Sequence, residues 1–431
     1  MNLLERTFEQ YWDTQLQGLI SERQMAIDFY SNAHEEHVRK YIRIDADDIP
    51  YTWSGLTKRV IDKRSVVYKK PATRYVNDLY NEITKSKDYW MKEAERRSRL
   101  TGVIAVRPFW NGKEFKYQII QNFLPIFGDN ELYPIGIAYP LSTGSRAEQV
   151  WAYWDAENHF VTDANGSKLK DQSSWGVNEE NVNPYGVLPF AFLHISPVVN
   201  DFWTPGAFDV VNTNLMTDLA LTDLNYVLRY QSFKQIYTKG LQDAEAVSIK
   251  LGYNYAPNIP NETEIGILDL QPRVNETTEA IKFQIQNIER NYGLNISWGM
   301  EGSPSGFSLV VQNIDLLQGW EDDKDIAKEW ERDLFEIERA IYAVETRRQL
   351  PDTFELDLAE VSFPIDKQAE TSYWDWKVKN NLATYADYYV EKINPDMSYE
   401  DAQKRMEENA ASNRSVTKIA TGPTALEALL G

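Results

Sequence analysis

Six apolar residues, Ala327, Trp330, Leu334, Ile337, Ile341 and Val344, follow one another at 3-4-3-4-3 spacing. That period sets one face of a helix into a core. The expected helix, residues 307–348, would be roughly 60 Å long if straight, with Gly319 as the place for a bend and Pro351 just past its end. A chain of 431 residues around such a rod allows two or three domains, or one elongated multi-part chain.

The stretch before the rod is its opposite. "NYGLNISWGMEGSPSGFSLVVQN" (291–313) carries Gly293, Gly299, Gly302 and Gly306 before Phe307. It follows another amphipathic pattern, residues 276–293, with Ile281, Ile285, Ile288 and Tyr292 on one face and Gly293 placed as a C′ glycine. Two readings suit a Gly/Ser/Pro loop between helices: a phosphate cradle or a flexible finger. The cradle requires G-x-x-x-x-G-K-[ST], and no lysine lies between Leu294 and Gly306; a phosphate would meet Glu301 instead. G-x-G-x-x-G and G-x-S-x-G are also missing from the sequence.

Other chemistry is thin. With no cysteine, disulfides, zinc fingers and thiol nucleophiles are excluded. "HEEH" spaces His34 and His37 at i, i+3 rather than the i, i+4 of a metalloprotease helix, so both are expected exposed on a polar helix. His194, in an apolar strand, reads as a core histidine; Glu321, Asp322 and Asp323 read as a solvated helix face. No cofactor or metal is expected. The net charge of −20 argues against a tight non-specific grip on nucleic acid, but not against letting nucleic acid pass. The 13 Trp and 25 Tyr suit large interfaces, and equally an aromatic-rich carbohydrate-active enzyme, although no carboxylate pair stands out for that chemistry. The first residues are charged, without a signal-peptide core, and no run suits a membrane span.

Along the rest of the chain, residues 56–71 read as a helix ended by Pro71. Residues 75–100 read as a second helix, with Leu79, Ile83, Tyr89 and Ala94 along one side. The period then drops to two. Residues 102–120 form a hairpin about Asn111-Gly112, 149–163 a second hairpin, and 183–197 a Pro/Gly-bounded strand. Residues 206–240 are a long helix with Phe208, Val211, Leu215, Leu219, Thr222, Tyr226, Tyr230 and Phe233 on its apolar stripe. Asp209, Asn212, Asp218 and Asn225 lie mostly off it. A β insert, 246–272, precedes the helix at 276. Residues 353–364 alternate as a strand, and helices finish the chain.

This order of parts resembles the portal proteins of tailed bacteriophages from about Leu56 onward. "RVIDKRSVVYKKP", "NPYGVLPFAFLHISP" and "SPSGFSLVVQN" are similar to the family's wing-entering helix, its Asn-Pro-x-Gly strand and the start of its long helix. The resemblance implies an α+β portal-type fold. After an N-terminal helical segment (1–55) come the wing (56–205), first stem helix (206–235), clip (236–275) and second stem helix (276–293). The tunnel loop (294–306), long spine helix (307–350), wing return strand (351–366) and a short helical crown (367–431) follow. It implies a non-enzymatic homo-oligomeric ring of about twelve copies at one capsid vertex, assembled in the host cytoplasm and retained in the virion. Its partners would be double-stranded DNA passing non-specifically, the terminase large subunit, the major capsid protein and scaffold, and adaptor or tail proteins, with no membrane. Another virion connector is the nearer alternative.

On that reading Asn295, Ser297, Trp298, Met300, Ser303 and Ser305 form an uncharged constriction reaching roughly 20 Å. Arg229, Lys234, Lys282 and Arg290 are channel-lining candidates. Ile249, Tyr253, Tyr255, Ile259 and Ile267 belong to the docking clip. Runs 246–251 and 265–270 are expected to pair with neighbouring subunits.

Overall fold

The computed structural model describes residues 3–12, 14–42, 51–142, 148–175, 177–228, 235–239, 264–268, 274–294, 314–359, 374–380, 382–394 and 397–420. The chain is a mixed helix-and-sheet protein in two units. The first holds residues 1–296 and 315–361; the second holds 297–314 and 362–431.

Two antiparallel sheets face each other in the first unit. One has the order β3-β2-β8, from β2 (Val103–Trp110), β3 (Phe115–Ile120) and β8 (Ala191–His194). The other runs β4-β5-β6-β7, from β4 (Leu124–Phe127), β5 (Pro134–Pro140), β6 (Trp151–Asp155) and β7 (His159–Thr162). Both expected hairpins form. In the first, Trp110 pairs with Phe115 across a loop where Gly112 takes φ +91 and the Asn111 carboxamide accepts the N–H groups of Lys113 and Glu114. Alternation then sorts the side chains. Ile137, Tyr139, Ala152 and Trp154 point to the core between the sheets with Val103, Ala105, Phe123, Phe190 and Phe202. Ala138 and Trp151 point the other way, where α1 (Leu3–Trp12) lays Leu4, Phe8 and Tyr11. The four-stranded sheet is thus covered on both faces, and the N-terminal residues, expected as a segment apart, complete it.

Helix α2 (Thr14–Tyr30) is fixed by Arg23, which is 1% exposed. Its guanidinium donates to the carbonyls of Thr101 (2.7 Å), Val103 (2.6 Å) and Gln121, and lies over the rings of Trp203 and Phe123.

Two expected helices are interrupted. Residues 56–71 give α4 (Leu56–Arg64), then a 3-10 turn Val67–Lys69, because the buried Glu95 carboxylate accepts the N–H groups of Val67 and Tyr68, each at 3.2 Å. Residues 75–100 give the end of β1 (Thr73–Tyr75), then α5 (Asp78–Ile83) capped by Asn77, then α6 (Lys87–Thr101). The break shifts the helical phase. Ile83 and Ala94 are buried as expected, whereas Tyr89 is 72% exposed and Leu79 39%. Strand β11 (Glu355–Asp357) returns to pair with β1.

The long helix is α9 (Ile314–Thr346). Its buried face carries Ala327, Trp330, Leu334 and Ile341 as expected, but also Glu331, Phe335, Glu338 and Tyr342, while Val344 is exposed. Glu331 receives Arg74 (3.0 Å from Nε) and Lys87 (3.0 Å). Glu338 receives Lys87 (2.9 Å) and the hydroxyls of Tyr80 (2.6 Å) and Tyr117 (2.8 Å). Near the helix start Asp323 binds both Arg64 (2.6 Å) and Arg99 (2.8 Å), so it is no solvated carboxylate; Glu321 and Asp322 are exposed as expected. The helix runs through Gly319, where a Cβ would come 2.3 Å from Arg64 Nη2. The glycine makes room for that arginine.

In the second unit, α10 (Tyr385–Tyr388) starts at a Thr384/Asp387 capping box, and Trp374 packs edge-on against Tyr388. Helix α11 (Tyr399–Ala420) buries Ala402.

Candidate functional site

Helices α7 (Phe208–Tyr226) and α8 (Val274–Asn291) pack on each other. The Tyr292 hydroxyl, just past α8, donates to Asp209 in the first turn of α7 at 2.7 Å, so the pair runs antiparallel. Between the helices in sequence stand β9 (Gln235–Lys239) and β10 (Glu264–Leu268), an antiparallel ribbon with Ile267 opposite Ile236. The result is a helical hairpin, each arm roughly 28 Å long, whose connection includes a two-stranded ribbon. The ribbon pairs 235–239 with 264–268 within one chain; the expected strand at 246–251 lies outside the described residues.

Close backbone crossing sets where α7 leaves the sheets. A Cβ on Gly102 would sit 1.9 Å from the Thr204 carbonyl, and one on Gly206 2.5 Å from the Leu100 carbonyl. Gly102 also takes φ +85, a region that favours glycine. Ala207 N–H then donates to the Leu100 carbonyl at 3.0 Å. At the same end of the hairpin, α8 closes on a Schellman turn beside the start of α7. Gly293 has φ +60, its N–H reaches the Arg290 carbonyl (3.1 Å), Leu294 N–H reaches the Glu289 carbonyl (2.8 Å), and Leu294 is buried.

The buried face of α7 is half apolar and half polar. Val210, Val211 and Leu215 are buried, as are Asn214, Thr217, Asp218 and Thr222. Asp218, expected on the outward side, is fully buried and accepts from Ser54 N–H (2.7 Å), Asn214 Nδ2 (2.7 Å), His34 Nε2 (2.9 Å) and Tyr51 (3.4 Å). The Asn214 carboxamide oxygen accepts both Thr57 N–H and its hydroxyl. His34, expected exposed, is fully buried before α3 (Glu35–Arg39) and stacks on Phe29 at 4.0 Å; His37 is partly exposed beside Asp28. His194 is half-buried, its imidazole held down at about 4 by burial and then by Arg23. Asp218→Ala strands four polar partners, and we expect a loss of about 3 kcal/mol, read as a lower urea midpoint at unchanged slope.

With two faces committed inward, α7 leaves Asp209, Asn212, Met216 and Asp223 outward, and α8 leaves Glu276, Glu279, Lys282, Phe283, Gln286 and Arg290. Of the channel-lining candidates, Lys282 pairs with Glu279 of its own helix at 3.1 Å, and Arg290 is exposed in the last turn of α8. Arg229 and Lys234 lie outside the described residues, as do Asn295, Ser297, Trp298, Met300, Ser303 and Ser305, and Ile249, Tyr253, Tyr255 and Ile259 of the clip. Sequence reasoning missed the His34–Asp218–Asn214 cluster. Its signal was there: Asn214 and Asp218 stand four residues apart, adjacent to the apolar stripe. Among the described residues no group of three or more His, Asp or Glu is placed to hold a metal, and no helix is long and apolar enough to cross a membrane.

No protein-family model and no curated protein matches the chain. Among solved structures it is similar to a chain in the virion of a native gene transfer agent particle, with TM-score 0.44 and 10% identity over 78% of this chain and 88% of that one. A chain in the neck of the native particle, computed with C12 symmetry, gives 0.45 and 9% over 78% and 88%. One in the neck of the empty particle, computed with C6 symmetry, gives 0.44 and 11% over 78% and 89%.

Proposed function

We propose that this chain is a portal-type virion connector: a non-enzymatic subunit of a ring of about twelve copies that conducts double-stranded DNA at a capsid vertex. The ring would seat the terminase motor and later an adaptor or tail, with capsid protein and scaffold around the wing. The helical hairpin α7/α8 with its ribbon carries this reading. Such a hairpin has one side fixed to the wing by Asp218 and Asn214 and another side left for neighbours and a channel. Phe283 (67% exposed), Met216 (52%) and Leu228 (43%) are apolar side chains on it that a neighbouring copy would cover. Among the described residues β9 and β10 pair only with each other. A two-stranded ribbon is marginal alone and presents two open edges, which adjacent copies or the motor would satisfy.

Charge fits conduction. Twelve chains of −20 carry on the order of −240, and among the described residues the exposed sides of α7 and α8 bear Asp209, Asp223, Glu276 and Glu279 against Lys282 and Arg290. DNA would find no cationic ring strong enough to hold it. The test is mass and shape in solution. Twelve chains of 50.0 kDa give about 600 kDa. Native mass spectrometry near that mass, with negative-stain rings that have an axial hole, is the expected result. A monomer, or a particle without an axial opening, at all protein concentrations up to ~100 μM would reject the proposal.

A further inference from the structure

A groove of about 510 Å³ lies on the wing between α9 and the β8 side of the core, within the first unit. Its floor is aromatic, built from Phe190, Phe192, Phe202 and Trp330. Trp330 is fixed there, its indole N–H donating to the His194 carbonyl at 3.1 Å. One wall is α9, which presents Ile326, Glu329, Trp330, Asp333 and Ile337: positions i, i+3, i+4, i+7 and i+11, spanning about 16 Å. Tyr133 stands at the other rim, 65% exposed.

The charge at this groove has one sign. Glu329, Asp333 and Glu336 line it, and no lysine or arginine does. Glu336 pairs with Arg339, whereas Glu329 and Asp333 make no salt bridge among the described residues. Two carboxylates at i, i+4 destabilise a helix by a few tenths of a kcal/mol. Desolvation, and then Glu329, push the Asp333 carboxyl above its ordinary range, and the neighbouring Arg332 offsets them only in part. A cation laid between them would relieve both effects.

Strand β8 borders the groove, and the His194 carbonyl on its side away from β2 is already taken by Trp330. That leaves a four-residue strand little edge to offer, and favours an occupant that binds through side chains, with apolar anchors on the aromatic floor and cations at the rim. Nucleic acid, whose phosphates the rim repels, does not fit.

We infer that this groove docks a basic amphipathic helical segment of a partner protein, seated along α9 with lysine or arginine against Glu329 and Asp333. All the residues come from one chain, so the inference stands whether or not the chain forms a ring.

The probe is a fluorescein-labelled peptide of about 14 leucines and lysines at helical spacing, with a counterpart in which glutamate replaces every lysine. Anisotropy titrations use the full chain at ~0.15 M salt. Saturable binding of the lysine peptide is expected, at least about tenfold tighter than the glutamate peptide. The double variant E329Q/D333N is expected to weaken it at least about tenfold. The control E321Q/D322N, which neutralises two exposed carboxylates elsewhere on α9, should leave it within about twofold. A photo-crosslinking residue at Tyr133 is expected to capture the lysine peptide. Equal weakening by the two double variants, or none by E329Q/D333N, would assign binding to net charge and overturn the inference. So would absence of saturable binding or of the crosslink. Both variants change exposed side chains, and their melting curves will show that they fold.

Discussion

Replacing Glu331 by alanine is expected to destabilise the protein by about 3–5 kcal/mol, near 10 °C in melting temperature. Glu331 is fully buried against Lys87, itself 0% exposed, and Arg74. Among the described residues, removing it leaves Lys87 with Glu338 and Arg74 with the partly exposed Asp88, so much of the desolvation of the two cations goes uncompensated. Removing both sides should behave differently. A Lys87→Met/Glu331→Met chain deletes the charges together, and should recover much of the loss. A Glu331→Ala protein that melts within about 2 °C of the parent would mean that the cluster is not a stabilising pair.

The same carboxylate sets an acid limb. Desolvation alone would raise it, but Lys87 and Arg74 prevail and hold it at about 2, below its ordinary value of 4.5. A depressed carboxyl gives stability that is present above pH ~4.5 and lost as pH falls towards ~2, on the order of 3 kcal/mol. Burial raises the Glu95 carboxyl instead, so its strain at neutral pH is relieved on acidification and partly offsets the loss. Stability measured from pH 5 to 2 should therefore fall in the parent and fall less steeply in Glu331→Gln.

The second large effect is at Arg23. We expect Arg23→Ala to cost about 3–5 kcal/mol, because three carbonyls that it satisfies are left in a core and the space under Trp203 empties. Arg23→Lys should recover little, since an ammonium lacks the planar fork that reaches three acceptors on two chain segments. The readout is urea unfolding together with amide exchange. Faster exchange should appear first in α2, and in the β4 and β6 residues under α1. If exchange rises in α2 alone, the N-terminal helices are an appendage rather than a layer over the four-stranded sheet.

How much of this was legible can be judged element by element. Helices α7 and α8, the Gly293 stop, both β-hairpins and the long helix follow from periodicity and turn chemistry, which act within a few residues; residues 235–239, read as the end of a helix over 206–240, instead form β9, because they pair with 264–268. The misses came from partners far away in sequence. Glu331 and Glu338 share the helix face with Leu334 and Ile341, but only Arg74, Lys87, Tyr80 and Tyr117 make that burial tolerable. Glu95 stopped a helix more than twenty residues upstream by taking its N–H groups. Asp218 and His34 both read as exposed because each alone is a polar residue on a helix; their bond spans 184 positions. Neither strands β4 and β5 nor the role of α1 was foreseen. A polar-looking N-terminal helix gives no sign of the sheet it will cover until Leu4, Phe8 and Tyr11 are set against it.

The pairing of Arg74 with Glu331 spans 257 positions, and this bears on synthesis. At about 5–20 residues per second a ribosome needs roughly 13–50 s to deliver the carboxylate after the guanidinium has been made. Through that interval Arg74 and Lys87 lack the buried carboxylate of Glu331, and β1 has no β11. Pairing of the two strands and burial of the two cations are therefore late steps of folding on the ribosome, and any self-association that depends on them waits until β11 has emerged.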